Sequence, residues 1–282
     1  MGPRLADQGG RGLERETVPQ MTILYANAKS HLLLANECCL EFMKGLKNNS
    51  VDLVLADPPY GVTRCAWDKI IDPDALWKGL LRVTKPSAAI ILFCIQPFTS
   101  VLVHSNLRCF KYQLVWAKNR ATGFLNAKKQ PLRICEDILV FYRKQPVYNP
   151  QKTIGKRPVN SNKKESQPIG VYNSLKGLKG VFGGNIDRHP TNLLRFPVVS
   201  NDGYGERRHK PTQKPVSLLE YLIKTYSNPG GTVFDFCFGS GSTAIACANT
   251  NRDFIGSEIS RSDYLVACER LSEKIPVSLE VP

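Results

Sequence analysis

The chain has 282 residues, 42% of them hydrophobic and 22% charged, with a formal net charge of +14, which suits one main domain plus a small second one around a buried core. The longest apolar run, residues 88–95, is too short to span a bilayer, and residues 1–20 hold no apolar stretch of the secretory kind, so membrane-spanning and secreted classes are set aside. Nine cysteines, odd in number and without Cys-x-x-Cys spacing, fit reduced thiols better than a disulfide framework or a metal site.

Residues 1–20 read as a Gly- and Arg-containing leader outside the fold, with Met21 as the natural start. Residues 32–34 predict a short strand, and Cys39, Phe42, Met43 and Leu46 mark one face of a helix that Lys47-Asn48-Asn49-Ser50 breaks. The run VDLVLA at 51–56, closed by Asp57-Pro58-Pro59-Tyr60, fits a buried parallel strand. A helix over 74–83, a second buried strand over 88–94 and a hairpin-like pair over 112–117 and 137–142 follow. From 145 to about 208, Pro, Gly, Asn and Lys dominate and no periodicity is sustained. Tyr148, Tyr172, Phe182, Leu193, Leu194 and Phe196 are nevertheless interleaved with the bases there, more large apolar groups than a disordered linker carries. A small irregular recognition domain is expected. Regular structure resumes at Pro215, placed at the first position of a helix with Val216, Leu219, Leu222, Ile223 and Tyr226 on its apolar face. Asn228-Pro229-Gly230-Gly231 stops it. A strand over 232–236, a Gly239-Ser240-Gly241 loop, a helix over 242–248, a strand over 254–256 and a helix over 262–275 complete the series. Strands alternating with helices predict an α/β fold, a layered, mostly parallel sheet with an antiparallel edge.

The charge is not spread evenly. Residues 111–215 hold 21 Lys and Arg against 6 Asp and Glu, a net of +15, while 1–110 carry +2 and 216–282 carry −3. Such a block is the electrostatic footprint of a polyphosphate partner, and nucleic acid is expected.

Two strand exits carry chemistry. After Phe234-Asp235, the Gly239-Ser240-Gly241 turn opens a helix, where glycines let a ligand approach the backbone and free N–H groups face it. Glu258 lies 17 residues after Gly241, at the end of the next strand, where a carboxylate accepts from ribose hydroxyls. A nucleoside cofactor is expected; the Gly-Lys-Ser/Thr of a phosphate-gripping loop is missing, as is the third glycine of the dinucleotide fingerprint. At the other exit, Pro58 and Pro59 fix an extended turn and cannot donate, leaving the Asp57 carboxylate and the Pro58 carbonyl as acceptors beside the Tyr60 ring. Two acceptors and a π-face suit a planar heterocycle bearing an amino group.

Asp57-Pro58-Pro59-Tyr60 resembles the catalytic motif of amino-group DNA methyltransferases. The segment from His209 through Lys210, Pro211, Thr212, Gln213 and Lys214 to Pro215 is similar to their His-Pro-Thr-Gln-Lys-Pro stretch with one residue added, and 227–243 resembles their S-adenosylmethionine loop. The catalytic motif comes first, as in the permuted β class, and the similarity runs from about residue 32 to 271 around the basic middle. Asp235-Phe236-Cys237 stands where relatives usually have Asp-Pro-Phe, and Ala35-Asn36 where they have Gly-Asp.

The resemblance implies a circularly permuted, seven-stranded, Rossmann-like methyltransferase sheet with a small inserted recognition domain. It divides the chain into a leader (1–20), a catalytic half (21–144), a target-recognition domain (145–208) and a cofactor half (209–282). The implied reaction moves a methyl group from S-adenosyl-L-methionine to the 6-amino group of adenine in DNA, with Asp57, Pro58, Pro59 and Tyr60 catalytic. Implied cofactor contacts are Asn36, Asp57, Asp235, Phe236, Cys237, Gly239, Gly241, Ser242 and Glu258, with Thr212 and Lys214 on the methionine part. Residues 116–119 and the Gly123-Phe124 loop would help hold a flipped base. Lys118, Arg120, Lys163, Lys164, Lys176, Lys179, Arg207 and Arg208 would contact double-stranded DNA. No metal is expected; a homodimer and a cognate restriction endonuclease are open partners, and the setting would be the cytoplasm of a bacterium or phage-infected cell. The alternatives are the 4-amino group of cytosine, a protein or RNA amide, and a non-catalytic DNA-binding descendant.

Overall fold

The computed structural model describes residues 22–27, 29–61, 68–155, 186–201, 206–275 and 277–281. In chain order the elements are β1 (Thr22–Asn27), β2 (Ser30–Ala35), α1 (Cys39–Gly45), β3 (Val51–Ala56), α2 (Pro73–Val83), β4 (Thr84–Cys94), α3 (Phe98–Ser105), β5 (Phe110–Thr122), β6 (Arg133–Phe141), β7 (Thr153–Ile154), β8 (Asp187–Arg188), β9 (Leu193–Arg195), α4 (Val216–Tyr226), β10 (Thr232–Asp235), α5 (Ser242–Asn249), β11 (Asp253–Ser257), α6 (Arg261–Ser272) and β12 (Val277–Val281).

One sheet runs β12-β1-β2-β11-β10-β3-β4-β6-β5-β9, and β7 pairs β8 apart from it. Ten strands stand where seven were expected. The seven from β2 to β5 form the expected sheet, and β1, β12 and β9 extend its edges. The links from β2 through β4 are all parallel, and β6 is antiparallel to both neighbours. β10, from the last third of the chain, lies between β11 and β3, which brings the exits of β3, β10 and β11 side by side at the carboxyl ends of parallel strands. Ligands of open α/β sheets sit at such an edge.

The strands alternate between two cores. On β4, Ala89, Ile91 and Phe93 face the layer of α4, α5 and α6, whereas Ile90, Leu92 and Cys94 face α1, α2 and α3. Burial on both faces explains why these strands read as unbroken apolar runs. The face of α4 is set by Leu218, Leu219, Leu222, Ile223 and Tyr226, all buried. Pro215 precedes the helix as its cap rather than opening it: its ψ of 131° is extended, and its carbonyl accepts from the Leu218 and Leu219 N–H groups at 3.1 and 3.2 Å.

Two described parts of 145–208 are joined to the main domain, while β7 and β8 form their own pair. β9 pairs β5 in parallel, Trp116 Nε1 donates to the Phe196 carbonyl at 2.8 Å, and the Asn149 N–H donates to the Thr225 carbonyl at 2.8 Å. Residues 1–20, Tyr172, Phe182 and the lysines at 163, 164, 176 and 179 lie outside the described residues.

Candidate active site

Asp57 stands just past the end of β3, and both of its oxygens are engaged. Oδ1 accepts from the Tyr60 hydroxyl and Oδ2 from Lys214 Nζ. Lys214 Nζ also lies 3.5 Å from Glu136 Oε2 and 5.1 Å from the centroid of the Phe93 ring. Glu136 Oε1 accepts from Lys118 Nζ; its Oε2 is buried without a hydrogen bond. Two carboxylates and two ammonium groups therefore form a neutral, largely buried quartet. Burial pushes the Asp57 carboxyl above its ordinary range, against the pull of the Lys214 ammonium. Burial also works to raise Glu136, but Lys214 and Lys118 outweigh it and hold that carboxyl low. For Lys214, burial works downward and the two carboxylates prevail, keeping the ammonium charged. The Tyr60 phenol, raised by burial and by the Asp57 charge, stays a donor, and its ring packs 5.6 Å from that of Phe98.

The second half of the site follows β10. Gly239 and Gly241 have φ of 53° and 77°, the left-handed region that only glycine enters without cost. A Cβ on Gly241 would also stand 2.8 Å from the Ala267 side chain, whereas a Cβ on Gly239 would meet nothing within 4 Å. The Gly239 N–H donates to Glu258 Oε2 at 2.9 Å and the Ser260 N–H to Oε1 at 2.8 Å. Burial raises the Glu258 carboxyl in spite of these donors. The Asn36 amide donates to the Glu258 carbonyl at 2.7 Å. Asp235 accepts from Thr243 Oγ1 at 2.7 Å and from the Cys237 N–H at 3.1 Å, and burial pushes its carboxyl up to about 7.

A buried cation fastens this loop from behind. Arg270 on α6 donates to the Ser240 carbonyl, to Ser240 Oγ at 3.0 Å and Ser242 Oγ at 3.2 Å, and to Glu206 Oε1 at 2.9 Å. Glu206 also accepts from Gln213 Nε2 at 2.6 Å and the Val216 N–H at 2.9 Å. The glycine loop and the segment delivering Lys214 are thus tied to one ion pair.

A family profile described as DNA methylase matches residues 51–268, spanning both strand exits. The chain belongs to the DNA methylase family. It is 25% identical over 248 residues to the type II methyltransferase M.HpaI of Haemophilus parainfluenzae, covering 83% of this chain and 72% of that protein. It is 29% identical over 237 residues to the DNA adenine methyltransferase YhdJ of Escherichia coli, covering 79% and 76%. Among solved structures, the M1.HpyAVI–SAM complex shares the fold with a TM-score of 0.55 at 24% identity, covering 85% of this chain and 99% of that one. The cytosine-N4-specific PvuII methyltransferase does so with 0.61 at 14% identity, covering 88% and 89%.

The methylase fold brings Asn36, Asp57, Tyr60, Lys214, Asp235, Gly239, Gly241 and Glu258 to one edge of the sheet. Phe236 is turned into the core, 2% exposed and 6.2 Å from the Phe234 ring. Cys237 is half-buried, Ser242 is buried beneath the loop and Thr212 is exposed. Arg120, Arg207 and Arg208 are exposed. The Lys118 side chain, only 6% exposed, points inward to Glu136. Sequence reasoning missed Glu136, Glu206 and Arg270. Position alone leaves a trace, Glu136 lying just before the buried end of β6 and Arg270 following Ala267 by three on the buried face of α6, but neither position names its partner. A cavity of about 240 Å³ at the opposite end of the strands, lined by Asp52, Lys85, Tyr226 and the Asn228–Gly231 turn, holds none of these groups. No described helix is long and apolar enough to cross a membrane.

Proposed function

We propose that this methylase belongs to the permuted β class and transfers a methyl group from S-adenosyl-L-methionine to the 6-amino group of adenine in double-stranded DNA. The observation that carries the reading is the adjacency of two exits: an Asp-Pro-Pro-Tyr turn with a buried carboxylate, and a glycine loop backed by Glu258.

The cofactor's chemistry fits the donor set. Space over Gly239 lets a ligand lie against the backbone, Glu258 accepts from ribose hydroxyls, Asn36 and Asp235 border the same edge, and Ser242 and Thr212 flank it. When bound, S-adenosyl-L-methionine supplies an electrophilic methyl on a sulfonium. The protein's task is to make a poor nucleophile attack it. The exocyclic amine of adenine has its lone pair delocalised into the ring. Asp57 and the Pro58 carbonyl accept the two amine hydrogens, localise that lone pair and collect the positive charge that develops. Tyr60, buttressed by Phe98, stacks on the base and fixes it for in-line attack. The proton left on the methylated amine departs by way of Asp57, which burial makes a better acceptor. An amine paired inside a duplex is out of reach, so the base leaves the stack, at a few kcal/mol.

Asp57 in first place, where cytosine enzymes more often carry Ser, favours adenine over the 4-amino group of cytosine. Incubating the purified protein with DNA and S-adenosyl-L-methionine, then separating the nucleosides by mass, tests this. N6-methyl-2′-deoxyadenosine is expected; N4-methyl-2′-deoxycytidine would move the substrate, and an unmodified digest with no cofactor binding by calorimetry would leave a DNA-binding descendant.

A further inference from the structure

We propose that Glu136 is a positioning residue that takes Lys214 from Asp57 when the target amine arrives. The proposal rests on the reading above, since it concerns how Asp57 is freed for that amine.

One Asp57 oxygen accepts from the Tyr60 hydroxyl and the other from Lys214 Nζ, and an ammonium on that second oxygen competes with the amine and repels the positive charge that develops on it. The Lys214 side chain is 9% exposed, so its ammonium cannot retreat into water and needs another anion. Glu136 provides one. Its Oε2 is buried, makes no hydrogen bond and lies 3.5 Å from Nζ. A charge-assisted N–H···O bond is about 2.7–2.9 Å long, so a shift of under about 1 Å completes it. A buried carboxylate oxygen left without a donor is costly, and it stands where the displaced ammonium would go.

The surroundings hold this acceptor still. In the β5–β6 register Glu136 faces Trp116, and Lys118, two residues on, reaches back to bind Oε1 while its Nζ lies 4.9 Å from the Trp116 ring centroid. The carboxylate is therefore clamped by one oxygen and open at the other. Phe93 beneath Nζ leaves the ammonium free to pivot between its two anions. Charge is conserved throughout: Asp57 and Glu136 are balanced by Lys214 and Lys118 before and after, so no net charge enters or leaves the buried space.

The test uses Glu136→Gln, which keeps shape and removes charge, Glu136→Asp, and the double variant Glu136→Gln/Lys214→Gln. With the full-length protein, S-adenosyl-L-methionine and a DNA duplex, kcat, DNA KM and cofactor Kd are measured from pH 6 to 9, beside the thermal unfolding midpoint. The titratable and charged groups facing the exchange are Asp57, Tyr60, Cys94, Lys118, Arg133 and Lys214. Removing the Glu136 charge should lower kcat by up to about 10²-fold, the lower end of what a lost preorganised contact costs, with cofactor Kd unchanged. Lys214 then stays on Asp57. The double variant should turn over faster than Glu136→Gln alone, most clearly at high pH where Asp57 is ionised, and Glu136→Asp should recover part of the loss. Wild-type kcat in Glu136→Gln, or a double variant no faster than the single at any pH, would overturn the exchange and leave Glu136 a structural partner of Lys118. Failure of the reading itself looks different: the wild-type protein would then methylate no DNA amine, and the exchange would fall with it.

Discussion

Both oxygens of Asp57 are occupied before any substrate arrives, by Tyr60 and Lys214, so its substitution removes an acceptor and leaves the buried ammonium to Glu136. Asp57→Ala should lower kcat by at least about 10²–10³-fold, as loss of a transition-state contact does, while cofactor affinity stays within a few-fold of wild type. Asp57→Asn, which spares the packing, should show the same split. Turnover near wild type in the Asn variant would remove the carboxylate from the chemistry. Glu258 is the complementary case. If it holds the ribose, Glu258→Ala should weaken cofactor binding by about 1.5–3 kcal/mol, the range for hydrogen bonds to a charged group, with DNA affinity in the absence of cofactor unchanged. An unaltered cofactor Kd by titration calorimetry would take the ribose away from β11. Asp57 and Glu258 were readable in the sequence because each sits where an apolar run meets turn residues. Glu136 and Arg270 were not, because their partners are fixed by sheet register and helix packing. Lys214 was seen in the motif, but its engagement with Asp57 across 157 residues has no local trace.

The same contrast holds for whole elements. β3, β4, α2 and α4 carry their periodicity within themselves. Among the described residues β12 pairs with β1 and β1 with β2 at the sheet's edge, β9 has three residues, and α3 follows β4 with a short apolar pattern, so none of these announces itself. The junction of β10 with its loop permits a test at this scale. Burial raises the Asp235 carboxyl from 3.8 to about 7, so the folded chain holds that proton more tightly than the unfolded one. The stability this contributes is complete below about pH 4 and is lost as pH rises toward 7. Between those limits the wild-type protein should lose up to about 4 kcal/mol relative to Asp235→Asn, which does not titrate. Denaturation midpoints that fall in parallel for the two proteins would mean that Thr243 and the Cys237 N–H fully offset the burial of the charge.

Across the whole molecule, the net charge of +15 between residues 111 and 215 is far larger than the active site uses. Lys118 and Lys214 are neutralised inside it by Glu136 and Asp57, which leaves the excess to the remaining bases, including the exposed Arg120, Arg207 and Arg208. If these bases hold DNA, binding releases counterions and falls steeply with salt, each lost phosphate contact lowering the log–log slope by about 0.9. Neutralising Lys163 with Lys164, or Lys176 with Lys179, should flatten that slope by up to about 1.8 and weaken binding to all sequences alike. Cofactor binding should survive, because its expected contacts lie outside residues 145–208. Lys118→Met provides the contrast. Its ammonium is held by Glu136, so its loss should disturb turnover and leave the salt slope where it was. Unchanged slopes in both double variants would confine the phosphate contacts to Arg120, Arg207, Arg208 and their neighbours. A flattened slope in Lys118→Met would mean that Lys118 leaves Glu136 for phosphate when DNA binds.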